Sequence, residues 1–250
     1  MAAMQGFTKT AFTAPVADTA TTFDVYTIGA GPPVIIMQEM PGIGQTTIAF
    51  AKRLVDAGFE VWLPHWFGPL GKTSALNLVR MLCMRREFQL FSKHRSSAVA
   101  DWMRALCKHI AQTRNAERVG VVGMCLSGNF AMTLIAEENV WAAVASQPSL
   151  PARDMGALHM SEAEIAASRA ALDRKGSMRA YRFAGDPLCT GAKFDAIDRA
   201  FNDGKVRVVT NVLPGEGHSV LTGHYDNTPG SPTAKAYAEV RDYFTAQLKP

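Results

Sequence analysis

The chain is short of cysteine, of long apolar runs and of charge of one sign, and each shortage excludes a class of protein. Its four cysteines, Cys83, Cys107, Cys125 and Cys189, lie far apart with no C-x-x-C spacing. That argues against a zinc site and against a disulfide framework, and free thiols fit a reducing cytoplasm. No stretch is long enough to span a bilayer, and residues 1–22 lack the charged start and continuous apolar segment of a secretory leader. The 26 Lys and Arg against 22 Asp and Glu give a net charge of +4. These basic residues are interleaved with acids, without the clustered stripe that binds phosphate backbones, so a nucleic-acid partner is not expected. Internal repeats and low-complexity tracts are missing too. His94, His109 and His159 have no useful spacing, and Met81, Met84, Met103 and Met132 read as core fillers. We expect no metal and no cofactor.

What the chain does have is apolar residues, 48% of 250, enough for one large domain over 1–250 with 1–21 as an amino-terminal extension. Short β-rich runs at 22–28, 34–38, 59–63, 119–122, 142–146, 179–183 and 206–212 alternate with helical patterns. The helices are expected at 46–57, 75–91, 97–113, 128–138, 162–173, 192–202 and 233–248. This alternation predicts an α/β fold with a mostly parallel central sheet covered by helices on both faces. Ligands of such sheets bind beyond the carboxyl ends of the strands, so residues that follow strands carry the information.

The most telling of these is Cys125, in Gly123-Met124-Cys125-Leu126-Ser127-Gly128. It falls between an apolar run and a helical stretch, at a sharp strand-to-helix turn. Such a turn is the nucleophile elbow of the α/β-hydrolase fold, in which glycines let the chain bend tightly and expose the reactive atom. Cysteine stands where serine is usual, and the start of a helix favours the thiolate, which is the reactive form. A nucleophile needs a base, and the base an orienting acid. Asp186 follows one strand in Gly185-Asp186-Pro187, and His218 follows the next in Gly217-His218-Ser219. Alone, a buried cysteine, a Gly-Asp-Pro turn and a single histidine are ordinary structural features. In the order nucleophile, acid, histidine, each beyond a strand end, they point to catalysis. A further carboxylate, Glu39, follows the early strand in Met37-Gln38-Glu39-Met40. The amides of Met40 and Leu126 are the expected oxyanion donors, which would put Glu39 beside both thiol and oxyanion.

These segments resemble the dienelactone hydrolases over residues 22–248. The resemblance rests on Gln38-Glu39 with Pro41-Gly42, on Gly58-Phe59-Glu60-Val61-Trp62-Leu63-Pro64, on the cysteine elbow, on Gly185-Asp186-Pro187 and on Gly217-His218-Ser219. It implies a hydrolase of activated esters or lactones acting through Cys125, His218 and Asp186. It also implies that Glu39 associates with a resting neutral thiol and helps form the thiolate when substrate enters. Two positions depart from the pattern. Ser127 replaces the more usual glycine, and Thr222, four residues after His218, stands where the family carries an arginine for the substrate carboxylate.

Arg85 and Arg86 on the 75–91 helix are the alternative anchors for an anionic substrate. Trp66 and Phe67, after the strand ending at residue 63, are expected to wall the pocket; His224 and Tyr225, shortly after His218, are candidates to replace the lost arginine contact, and Ser219 is a further substrate-binding candidate. The leading expectation is cofactor-free hydrolysis of a small enol lactone or activated ester. Its rivals are a general short-chain carboxylesterase, a non-catalytic ligand-binding protein of the same fold, and a redox-sensing thiol.

Overall fold

The computed structural model describes residues 4–16, 19–40, 42–71, 98–149 and 156–249. Eight strands form one sheet: β1 (Thr8–Val16), β2 (Thr19–Ile28), β3 (Pro33–Met37), β4 (Glu60–His65), β5 (Val119–Met124), β6 (Val140–Ser146), β7 (Met178–Phe183) and β8 (Val208–Leu213). Their spatial order is β1-β2-β4-β3-β5-β6-β7-β8. β2 runs antiparallel to both its neighbours, and the pairs from β4 to β8 are all parallel. The helices are α1 (Gln45–Asp56), α2 (Ala98–Arg114), α3 (Gly128–Leu134), α4 (Glu162–Lys175), α5 (Gly191–Phe201) and α6 (Pro232–Leu248). This is the α/β-hydrolase architecture expected from the alternation of strand and helix patterns.

The central strands explain their own position. β3 reads PVIIM and β5 reads VGVVGM, both buried throughout, the uninterrupted apolar pattern of strands covered on two faces. Because side chains alternate along a strand, each supplies two cores. Ile35, Met37, Val121 and Ala143 pack with Trp102, Met103, Leu106 and Ile110 of α2, with α3, and with Phe194, Ile197 and Phe201 of α5. Val34, Ile36, Val122 and Val144 pack with Phe50 and Leu54 of α1 and with Val240 and Phe244 of α6. Parallel crossovers of this kind bring the carboxyl ends of β3, β5, β6, β7 and β8 to one edge of the sheet.

Several boundaries differ from expectation. β1 lies within the stretch whose pattern we read as an extension. Its sequence, TKTAFTAPV, offers no apolar run because it is an edge strand, and its stability comes from pairing with β2 over nine residue pairs. β8 begins at Val208 rather than 206, and Val206 is exposed. α3 stops at Leu134, four residues early. There the buried Lys175 ammonium of α4 donates to the carbonyls of Ile135 and Val140 at 3.0 and 2.8 Å and to that of Glu137. A cation thus satisfies carbonyls at a helix end that would otherwise be buried without partners. The 75–91 helix, and with it Arg85, Arg86 and Cys83, lies outside the described residues.

Trp102 is the fastener of the β1–β2 hairpin. Fully buried on α2, it meets Phe12 of β1 and Phe23 of β2 edge-on, each at 5.2 Å between ring centroids, and donates its indole N–H to the Thr21 carbonyl at 3.2 Å. Replacing Trp102 by Ala removes both ring contacts and leaves a cavity, so we expect a loss of about 3–5 kcal/mol. Urea unfolding followed by far-UV circular dichroism measures it; a loss below about 1 kcal/mol would mean that the hairpin is held by its ladder alone.

Candidate active site

The strand-to-helix turn is built from close approaches that only glycine allows. β5 runs into a 3₁₀ turn at Cys125–Ser127 and then into α3. A Cβ on Gly123 would lie 2.1 Å from the Ser127 carbonyl oxygen, and one on Gly128 would lie 2.7 Å from Cα of Pro148. Cys125 itself sits at φ 54°, in the left-handed region that side-chain-bearing residues avoid. The neighbouring Ser127 hydroxyl is fully buried. It accepts from the Met124 amide at 2.9 Å and lies 3.1 Å from the Met37 carbonyl and 3.0 Å from that of Met124. The departure at Ser127 therefore ties the turn to the end of β3, which a glycine would not do.

Around the turn, the structure brings Asp186 and His218 together. His218 Nδ1 lies 2.8 and 3.0 Å from the two Asp186 carboxylate oxygens. Oδ1 of Asp186 also accepts from the amides of Leu188 and Cys189 at 2.8 and 2.9 Å. Burial pushes the Asp186 carboxyl upward, but the His218 ring and the two amides outweigh it and hold the group below the usual carboxylate range. For His218, burial opposes the cation, and the hydrogen bond to Asp186 with the nearby Cys125 sulfur overcomes this, raising the imidazole to about 10. Nε2 of His218 is buried with no hydrogen-bond partner among the described residues.

Glu39 is placed otherwise than expected. Its buried carboxylate accepts from Ser219 Oγ at 2.9 Å, from Gln147 Nε2 at 3.3 Å and from Thr222 Oγ1. The hydrogen bond that reaches the Cys125 sulfur comes instead from Ser149, at 3.1 Å. Burial pushes the Glu39 carboxyl up, against the pull of the Thr222 and Ser219 hydroxyls. The acid thus joins the loops after β3, β6 and β8. The adjacent Gln38 side chain accepts from the Trp66 amide at 2.9 Å and donates to the Phe67 carbonyl at 3.1 Å, fixing the loop after β4. Met40 is the second residue of a turn closed by Gly42 N to Glu39 O at 2.8 Å. Leu126 lies in the first turn after Cys125, where amides have no intrahelical acceptor.

Other expected residues serve the frame. Trp66 is buried, edge-on to Phe130 at 6.3 Å, and half-buried Phe67 packs on the same core, so the aromatic wall belongs largely to the interior. Tyr225 is drawn away by Arg53, whose guanidinium carbon lies 3.6 Å from the ring centroid, a cation–π contact that binds it to α1. His224 turns Nδ1 toward the amides of His218 and Ser219, at 3.4 and 3.2 Å, and so supports the His218 loop. Among the described residues no cluster of three metal-ligating side chains occurs. Sequence reasoning missed Gln147 and Ser149. Both follow β6, and the rule that found Cys125, Asp186 and His218 would have found them. Gln147 also carries the signature of a strained site, φ 37°.

A model of the dienelactone hydrolase family matches residues 23–248. No curated protein matches the chain. Among solved structures, a cold-adapted esterase from an Arctic intertidal metagenomic library superposes with TM-score 0.65 at 14% identity, covering 98% of this chain and 95% of that one. A dienelactone hydrolase-like promiscuous phosphotriesterase from metagenomic libraries gives 0.65 at 18%, covering 97% and 99%. The dienelactone hydrolase of Anabaena variabilis gives 0.55 at 13%, covering 98% and 100%. At these identities the likeness is one of fold.

The raised His218 has a consequence for stability. A histidine near 6.5 in the unfolded chain and about 10 in the fold stabilises fully below pH 6.5, and that contribution is lost as pH rises through about 10. The unfolding free energy of the wild type should therefore fall between pH 6.5 and 10 more steeply than that of His218→Gln, measured by urea titration. Parallel curves would mean that the imidazole is not held as a cation.

Proposed function

Because the chain belongs to the dienelactone hydrolase family, and is with it a hydrolase of ester bonds, we propose that it cleaves a small enol lactone or activated ester through Cys125, His218 and Asp186. The observation that carries this reading is the Asp186–His218 pair at 2.8 Å, with a buried, unpartnered Nε2 and a thiol held at a left-handed turn. The Cys125 thiolate attacks the carbonyl carbon, and the amides of Met40 and Leu126 bind the developing oxyanion. The His218 imidazolium gives its Nε2 proton to the departing oxygen, leaving an acyl-thioester and a neutral ring. That ring then takes a proton from water as the water attacks the thioester, and the carbon–sulfur bond breaks to restore the thiolate. Asp186 keeps Nδ1 protonated throughout. Glu39 acts as a positioning residue for the oxyanion turn and the His218 loop. No cofactor enters.

The nucleophile limits the substrate. A thiolate is itself a good leaving group, so the tetrahedral adduct collapses backward unless the alcohol departs easily. An enolate does so; an amide or a simple alkoxide does not. The free thiols of Cys107, Cys125 and Cys189 support a reducing compartment such as the cytoplasm.

A second reading, a general short-chain carboxylesterase, is favoured by Thr222. Its hydroxyl is engaged by Glu39, so that position holds no cation for a substrate carboxylate. Turnover of cis- and trans-dienelactone against p-nitrophenyl acetate separates the two, since a lactonase prefers the former by a large factor.

Cys125→Ala should abolish turnover, and an acyl adduct trapped on the wild type should map to Cys125 by peptide mass spectrometry. Asp186→Asn should lower kcat by about three to four orders of magnitude, as loss of the orienting carboxylate does in serine hydrolysis. Sustained turnover by Cys125→Ala excludes covalent catalysis at this thiol.

A further inference from the structure

Ser149 is a residue that the family resemblance does not single out, and it is bonded through backbone and side chain alike. It follows β6, is 2% exposed, and is tied to the elbow at three points. Its amide donates to the Cys125 carbonyl at 3.1 Å, its carbonyl accepts from Asn129 Nδ2 of α3 at 3.1 Å, and its hydroxyl donates to Cys125 Sγ at 3.1 Å. The preceding Pro148 packs so tightly on Gly128 that no side chain fits between them. Amide and carbonyl are thus both occupied at the elbow, and the hydroxyl meets the sulfur.

We infer that Ser149 is a catalytic hydrogen-bond donor to the Cys125 thiolate, a role that rests on the reading of Cys125 as nucleophile. The argument is one of donors around a buried charge. α3 is only seven residues long, so the field of its dipole is modest, and Glu39 is committed elsewhere. The groups left to favour negative sulfur are the His218 ring and the Ser149 hydroxyl. The two differ in what happens next. His218 surrenders its proton to the leaving oxygen during acylation. Ser149 keeps its own, because an alcohol is far too weak an acid to yield it. When water has added to the thioester and the carbon–sulfur bond breaks, the electron pair returns to sulfur, and Ser149 is there to receive it with a hydrogen bond while the ring is occupied with the proton taken from water. Its help is therefore greatest in thioester hydrolysis, the step in which a thiolate must form.

The test uses the full chain and iodoacetamide, with alkylation of the Cys125 peptide followed by mass spectrometry from pH 5 to 9. Ser149→Ala should displace the alkylation profile to higher pH, with reaction at pH 6 slowed about tenfold, the effect expected of one lost hydrogen bond to a charged group. Ser149→Gly removes the same hydroxyl should the alanine variant not fold. Asn129→Ala loosens the loop but keeps the hydroxyl, and its profile should coincide with the wild type. With p-nitrophenyl acetate, Ser149→Ala should accumulate acyl-enzyme, seen as a burst followed by a slower steady rate. Coincident profiles for Ser149→Ala and wild type overturn the inference, as does an equal displacement in Asn129→Ala, which would mark a purely structural role. A wild-type Cys125 that is inert at every pH overturns this inference together with the proposed nucleophile. A reactive Cys125 with an unmoved Ser149→Ala profile overturns this inference alone.

Discussion

The site depends on one backbone constraint: a residue with a side chain, Cys125, held at φ 54° between a strand and a helix. Such a conformation costs on the order of 1–3 kcal/mol and persists only where the surroundings over-determine it. Here they do so from three directions. β5 is locked between β3 and β6 by parallel ladders, Ser127 fastens the turn to β3, and Pro148 closes on Gly128 from β6. The glycines at 123 and 128 are there because the backbone atoms of the turn already occupy the space that a Cβ would take. The strain turns the thiol out of the helix axis toward the loops that follow the other strands.

Those loops meet through buried charge. Glu39 and Asp186 are both nearly inaccessible, and a buried carboxylate is tolerable only with donors to replace its lost water. Asp186 obtains two amides and an imidazole. Glu39 obtains two hydroxyls from the loop after β8 and a side-chain amide from the loop after β6. The need to satisfy these two acids sets the relative positions of the loops after β3, β6, β7 and β8. Electrostatics and geometry are thus the same requirement, and the side chains that meet it are mostly short and neutral.

The strand-and-helix alternation, the order of Cys125, Asp186 and His218, and the turn glycines were legible because each has a local signature: an apolar run, a turn motif, a residue just past a strand end. β1 was not legible, since an edge strand of mostly threonine and small residues gains its stability from its neighbour and not from a pattern of its own. The partner of Tyr225 was not legible for a related reason: Arg53, far away in the chain, meets its ring as a cation. Gln147 and Ser149 were overlooked because polar residues after a strand are so often mere turn formers.

Thr222 shows how a single position redistributes roles. With an arginine there, a cation would stand close to Glu39, and the carboxylate would have a charged partner that could also turn to a substrate anion. With threonine, the hydroxyl satisfies Glu39 directly, and burial with neutral donors leaves the acid's affinity for a proton raised. An acid so held has little reason to swing toward the thiol, because leaving would strip the buried Thr222 and Gln147 of their acceptor. Glu39 is then a fixed strut between the loops after β3 and β8, and the side-chain hydrogen bond that reaches the Cys125 sulfur comes from Ser149.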